Sequence, residues 1–157
     1  MIFIKNLSEA VPLTPNMTEL FAAVETNREG GLRMLYTLEK AGVLRLITRE
    51  PRPIGMLRKP DKIYLGNSNL MHALSSNTNI GTIRETFFCN QLTEAGHEVY
   101  LAKKGDFVVD TQYTFEVGGA SKTFKQIQGV QNSFLAVDNT SVGDINRIPL
   151  WLFGFLY

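Results

Sequence analysis

Gly105-Asp106-Phe107-Val108-Val109-Asp110-Thr111-Gln112-Tyr113-Thr114-Phe115-Glu116-Val117-Gly118-Gly119 alternates apolar and polar residues about a polar centre, the period-two pattern of a β-hairpin. On the first strand Phe107 and Val109 face one way, with Asp106 and Asp110 opposite. On the second, Phe115 and Val117 face one way, with Thr114 and Glu116 opposite. A slip of one residue would turn a whole strand over, so the two apolar faces must agree. The register that aligns them pairs Phe107 with Phe115, hence Asp106 with Glu116, across a loop at Asp110-Thr111-Gln112. Carboxylates placed directly opposite one another repel. A chain that keeps such a pair either holds a divalent metal with it or carries two unrelated acids on a solvated sheet face.

Outward from the hairpin, 157 residues of 44% hydrophobic and 20% charged composition suit one medium globular domain or two small ones. The net charge of +1 gives no overall push toward nucleic acid or membrane, but its distribution is uneven. Residues 1–66 carry ten bases and seven acids, and residues 67–157 carry six and eight, so the halves stand at +3 and −2. A single cysteine, Cys89, excludes an internal disulfide and suits a reducing, cytoplasmic setting. No signal peptide is visible, and the apolar Ile148–Tyr157 is too short to span a bilayer as a helix. It reads as a core-closing strand or as a surface for another chain, which keeps a homo-oligomer among the expectations.

The front half, residues 1–66, reads as three helices and a two-stranded ribbon. Residues 2–10 suit a short helix ended by Pro12. Asn16 with Glu19, and Thr26 with Glu29, repeat a capping signature at two further helix starts. The second of these helices buries Leu32, Leu35, Tyr36 and Leu38 and stops at Gly42. Strands follow at Val43–Thr48 and Lys62–Leu65, joined by a basic, proline-containing connection. That outline is a winged helix, with the helix from Arg28 as recognition helix and the connection as wing. Arg28, Arg33, Arg49, Arg52, Arg58 and Lys59 are the candidates for phosphate contact with DNA or RNA; a purely structural, protein-contacting winged helix is the alternative. Gly30-Gly31 costs the recognition helix about 1 kcal/mol per glycine and argues against a rigid major-groove reader.

The back half, residues 67–157, begins with a short helix capped at Asn67-Ser68-Asn69 and running to Leu74. A longer helix over 80–95 points Ile80, Ile83, Phe87, Phe88, Leu92 and Ala95 inward. Three strands follow (Glu98–Ala102 and the hairpin), then a helix over Ser121–Gln128 and a strand over Ser133–Asp138. The order αβββαβ is similar to the core of the PD-(D/E)xK, or restriction-endonuclease-like, fold. In that fold an acid opens the second strand, a second acid sits on the third, and a lysine follows two residues later. Asp106 and Glu116 match the acids, and Glu85 stands where a third comes from the helix, although Thr82-Ile83-Arg84-Glu85 also reads as a capping box. The lysine position is Gly118, which cannot stabilise charge on a phosphate. Lys122 or Lys125 is expected to reach the site from the next element if chemistry survives. Gly118–Thr123 only superficially suggests a phosphate-binding loop, since the positions that require glycine hold Glu116 and Ser121. Cys89, His72 and His97 have no metal-ligand spacing.

Several segments together resemble the C-terminal region of a family of bacterial and archaeal AAA+ ATPases. They are Val11–Asn16, Leu38–Gly42, Lys59–Leu65, Ile83–Phe87, Gly105–Asp110, Phe115–Gly119 and Ile148–Tyr157. Members carry a P-loop ATPase domain, then a winged helix, then a nuclease-like domain. The resemblance implies an α+β chain of a winged-helix domain (1–66) and a restriction-endonuclease-like domain (67–157), without the ATPase domain and so without ATP binding of its own. It also implies Mg²⁺ as the cofactor of an active site, with Asp106 and Glu116 as ligands. Many relatives read Glu-Val-Lys where this chain reads Glu116-Val117-Gly118. The leading expectation is therefore a nucleic-acid- or protein-contacting module of an ATPase with a decayed nuclease-like site, with no membrane partner. The rivals are an active Mg²⁺-dependent nuclease and an interaction scaffold.

Overall fold

The computed structural model describes residues 16–53, 55–74 and 78–156. The chain is mixed α+β with two sheets, and it forms two compact units, residues 1–78 and 79–157. The helix expected over residues 2–10 lies outside the described residues. The division falls after 78 rather than after 66, because the short helix following the ribbon packs on the ribbon's second strand. No helix among the described residues is long and apolar enough to cross a membrane.

The first unit contains α1 (Met17–Ala22), α2 (Arg28–Lys40), β1 (Leu44–Ile47), β2 (Lys62–Leu65) and α3 (Ser68–Leu74). Asn16 stands at the cap of α1 without a side-chain cap bond. The cap of α2 is Asn27 and not Thr26: Asn27 Oδ1 accepts the Gly30 N–H at 2.8 Å. Glu29 pairs with Arg33 instead of reaching back to the cap. The helix ends as expected at Gly42, whose φ of +73° allows two closing bonds, Gly42 N–H to Glu39 and Val43 N–H to Leu38. β1 and β2 pair antiparallel, Leu44 opposite Leu65 and Leu46 opposite Ile63. Leu44, Leu46, Ile63 and Leu65 are buried together with Leu32, Leu35 and Phe21, and α2 packs on β1. Gly31 has a packing reason that offsets its helix cost, since a Cβ there would overlap the Phe21 ring.

The second unit packs α4 (Ile80–Glu94) against a five-stranded sheet. The strands are β3 (Val99–Leu101), β4 (Phe107–Val109), β5 (Tyr113–Gly118), β6 (Ser133–Val137) and β7 (Arg147–Pro149), in spatial order β3-β4-β5-β6-β7. The first three strands run antiparallel; β6 is parallel to β5 and β7 to β6. The expected hairpin register is observed, with Phe107 opposite Phe115 and Val109 opposite Tyr113. Its turn takes Asp110 and Thr111 to φ of +51° and +57°, the sign of a type I′ turn, at a steric cost for β-branched Thr111.

β5 is the middle strand, and both its faces are covered. Phe88 of α4 lies 5.5 Å from Phe107, 5.0 Å from Phe115 and 4.7 Å from Phe153, ring centre to ring centre. On the other face Ile127, Leu135 and Val137 form a second apolar cluster. The helix expected over Ser121–Gln128 is only a 3₁₀ turn, Phe124–Gln126, bracketed by Gly118-Gly119 and Gly129, residues poor at continuing a helix. Ile80 and Ala95 of α4 are exposed, while Thr82, Thr86, Cys89 and Asn90 are buried. The helix is covered by β5, β3 and the final element together, so small polar residues are enclosed as well. That final element is the short β7 and a 3₁₀ helix, Leu150–Phe155, which buries Leu150 and Phe153 and exposes Trp151, Leu152 and Phe155.

The close contact at Gly31 yields a direct test. Gly31→Ala forces the Phe21 ring aside, and urea unfolding is expected to register a loss of about 1–3 kcal/mol in the first unit. An unchanged or increased stability would contradict the packing described.

Candidate functional site

Asp106 directly precedes β4, whose register with β5 ends at the Phe107–Phe115 pair, and the Glu116 charge acts on it. The Asp106 N–H donates to Phe115 O at 2.9 Å, and Asp106 Oδ2 accepts the Val117 N–H at 2.8 Å. The carboxylate is thereby fixed by the strand across from it. Glu116 is fully buried at 0% exposure, which excludes the solvated face that the hairpin alone left open. The reason is tertiary: β6 flanks β5, and the segment after β5 covers this face with Ile127.

A buried carboxylate needs a countercharge. Lys122 supplies it, with Nζ 2.5 Å from Glu116 Oε1. Glu116 Oε2 has no hydrogen-bond partner among the described residues. The lysine stem passes over Gly118: a Cβ there would lie 2.7 Å from Lys122 Cδ and 3.1 Å from Cγ. Gly118 thus makes room for the Lys122 stem. Lys125 is exposed on the 3₁₀ turn and has no such contact.

Asp106 is pushed up to about 6. Burial is the main cause, and the Glu116 and Glu85 charges add to it, while the Val117 N–H and Lys122 pull the other way. Burial also acts to lower Lys122, but the bond to Glu116 and the three carboxylate charges outweigh it and raise the ammonium above the usual lysine value. The charge of Glu85 is felt at both Asp106 and Lys122. Glu85 is not spent in a capping box, because the cap of α4 is Asn79, which accepts the N–H groups of Gly81 and Thr82. Arg84, one residue before, binds Asp138 at 2.9 Å and lies beside Gly119, where a Cβ would approach its Nη1 to 3.2 Å. Neither Arg84 nor Asp138 stands out in the sequence, since the fold brings them together across 54 residues. His97 pairs through Nδ1 with Asp110 at 2.7 Å.

The six basic candidates of the first unit differ in how they are held. Arg52 makes a two-bond fork to Glu39 at 2.8 and 2.9 Å and lies over the Tyr36 ring. That half-buried guanidinium fastens the connection to α2. Tyr36 Oη adds bonds to the Arg58 backbone at 3.0 and 3.1 Å. Arg33 is paired with Glu29 on an exposed helix face, and the Arg58 guanidinium stands 3.8 Å from Glu50. Arg28, Arg49 and Lys59 are exposed.

Among the described residues there is no cluster of three or more His, Cys, Asp or Glu side chains arranged to hold a metal. Comparison with known proteins finds no matching family model, no matching curated protein and no matching solved structure.

The raised Asp106 fixes the sign of a pH effect. The native state holds this proton more tightly than the unfolded chain, where the group titrates near 3.8. Its contribution to stability is therefore full below that value and is lost as pH rises through about 6. Relative to Asp106→Asn, the wild type is expected to lose unfolding free energy across this window, measured by urea melts at several pH values. A pH-independent difference would contradict the buried carboxyl.

Proposed function

We propose that the second unit is a nuclease-like domain of αβββαβ descent, in which a short irregular crossover replaces the second helix. Its site would cleave a phosphodiester of DNA or RNA with the aid of a divalent cation. The first unit is read as a winged helix that contacts nucleic-acid phosphates. The whole chain is read as similar to the C-terminal region of prokaryotic AAA+ ATPases and as serving such an ATPase. The observation that carries the reading is the Lys122 ammonium 2.5 Å from fully buried Glu116, delivered across Gly118.

The donor set fits Mg²⁺ or Mn²⁺. Asp106 and Glu116 are near enough for their charges to interact, and Mg²⁺ takes one or two carboxylates, several waters and substrate phosphate oxygens. Glu116 Oε2 is buried and without a partner among the described residues, so it has a lone pair to give. Asp106 and Glu116 would hold the ion, which supplies positive charge to a phosphoryl oxygen and acidity to a water. The Lys122 ammonium adds charge where negative charge develops on the phosphate. Glu85 contributes charge to the same group of side chains.

The exposed Trp151, Leu152 and Phe155 favour a second, compatible reading, in which this end of the second unit docks a partner or a second copy. Light scattering across a concentration series decides on self-association.

Titration with Mn²⁺ by calorimetry, joined to a cleavage assay on single- and double-stranded substrates, tests the site. Asp106→Ala is expected to abolish metal binding and cleavage. Lys122→Met should lower kcat by roughly 100-fold or more, and Lys125→Met by far less. Absence of both metal binding and cleavage in the wild type sinks the nuclease reading and leaves only the contact module. For the first unit, Arg49→Ala and Lys59→Ala should each reduce the slope of log affinity against log salt by about one unit. Arg52→Ala should instead weaken the fold, since its guanidinium is engaged with Glu39. Unchanged salt slopes in both surface variants would remove the wing from the binding surface.

A further inference from the structure

Arg147 opens β7, at the edge of the sheet opposite β3. It stands in the same cross-strand row as the candidate site: Glu116 is opposite Leu135, and Leu135 is opposite Arg147. Residues in one such row project from the same face. Two strand spacings separate Glu116 from Arg147, roughly 10 Å. Lys122 spans that gap. Its carbonyl accepts from Arg147 Nη2 at 2.8 Å, and its ammonium reaches Glu116. Arg147 Nη1 donates to Ala120 O at 3.0 Å, so one guanidinium grips two carbonyls of the turn that carries the lysine.

The turn has little else to hold it. Lys122 N–H bonds to Gly119 O at 2.9 Å, and the next regular structure is the single 3₁₀ turn at Phe124–Gln126. Arg147 is itself fixed: its N–H donates to Asp144 Oδ1 at 2.9 Å, and β7 is held to β6 by the Leu135 N–H bond to Asn146 O at 2.8 Å. A planar fork suits two carbonyls at once, whereas a lysine ammonium is a point charge that does not reproduce that geometry.

We propose that Arg147 is a positioning residue for the site: by gripping the Ala120 and Lys122 carbonyls it aims the Lys122 side chain over Gly118 at Glu116. The inference rests on the reading of Lys122 as the cation of the site. Gly118 supplies the passage and Arg147 the direction. Together they explain how a lysine on the crossover takes over a place that the strand position no longer fills.

The test combines a readout that needs no activity with one that does. Full-length wild type, Arg147→Lys and Arg147→Gln are labelled with a small amine-reactive reagent, and modification of Lys122 and Lys125 is followed by mass spectrometry. In the wild type Lys122 should label far more slowly than exposed Lys125. Both variants should bring its rate to within about threefold of that of Lys125, because the ammonium is released from Glu116. Arg147→Lys preserves charge and a long stem, so it keeps the test interpretable if Arg147→Gln fails to fold. In the cleavage assay Arg147→Lys should lower kcat by between about 10-fold and 100-fold with little change in KM, as expected of a misplaced group. Lys122 protection unchanged in folded Arg147→Lys overturns the positioning role, whatever the cleavage result. Lys122 released in a protein whose wild type cleaves nothing supports the positioning role and rejects the nuclease reading. A fall in KM-dependent binding alone, with kcat intact, also counts against it.

Discussion

A carboxylate buried on the middle strand of a five-stranded sheet is the constraint from which the second unit follows. Glu116 is fully enclosed, and an unpaired charge in that position would cost several kcal/mol. Lys122 therefore has to arrive, and its stem has to pass over a residue without a side chain. Gly118 meets that need, as does the irregular course of the segment after β5. Breaking such a pair by deleting one partner is strongly destabilising, typically about 3–5 kcal/mol, whereas replacing both is often neutral. A stable fold does not require the pair. Glu116 Oε2 is left without a hydrogen-bond partner among the described residues, and the Glu116 charge raises Asp106.

The first unit shows the other use of an ion pair. Glu39 and Arg52 are both partly exposed and form a fork, and Arg52 lies over the Tyr36 ring, so the connection between β1 and β2 is fastened to α2. The same basic segment thus divides its labour. Arg52 fastens the unit, and Arg49 and Lys59 are exposed.

Much of the second unit is arranged to keep its site rigid. The Asp106 carboxylate is bound by the backbone of the opposite strand, and Arg147 grips the turn that carries Lys122. Arg84 ties α4 to the end of β6 through Asp138. At the far end of the hairpin, Asp110 accepts from Glu98 N–H and pairs with His97, which holds a turn of unfavourable φ in place. Groups held within such networks have few alternative rotamers, and that is the condition for a preorganised site.

The hairpin register and the helix stop at Gly42 were legible in the sequence, because each depends on neighbours a few residues apart. Period-two alternation leaves a strand one face for the core, and a glycine after a helix tolerates the positive φ that ends it. Misread features depend on what lies on the other side. Period two assigned Glu116 to a polar face without showing that β6 and Ile127 would cover it. The helical stripe of α4 pointed Ile80 inward and overlooked Thr82 and Thr86, since coverage from several elements overrides amphipathic pattern. Lys122 and Lys125 were equivalent as letters. Only the tertiary structure chose Lys122, because the parallel pairing of β6 and β7 sets Arg147 where it can turn that side chain across Gly118 and onto Glu116.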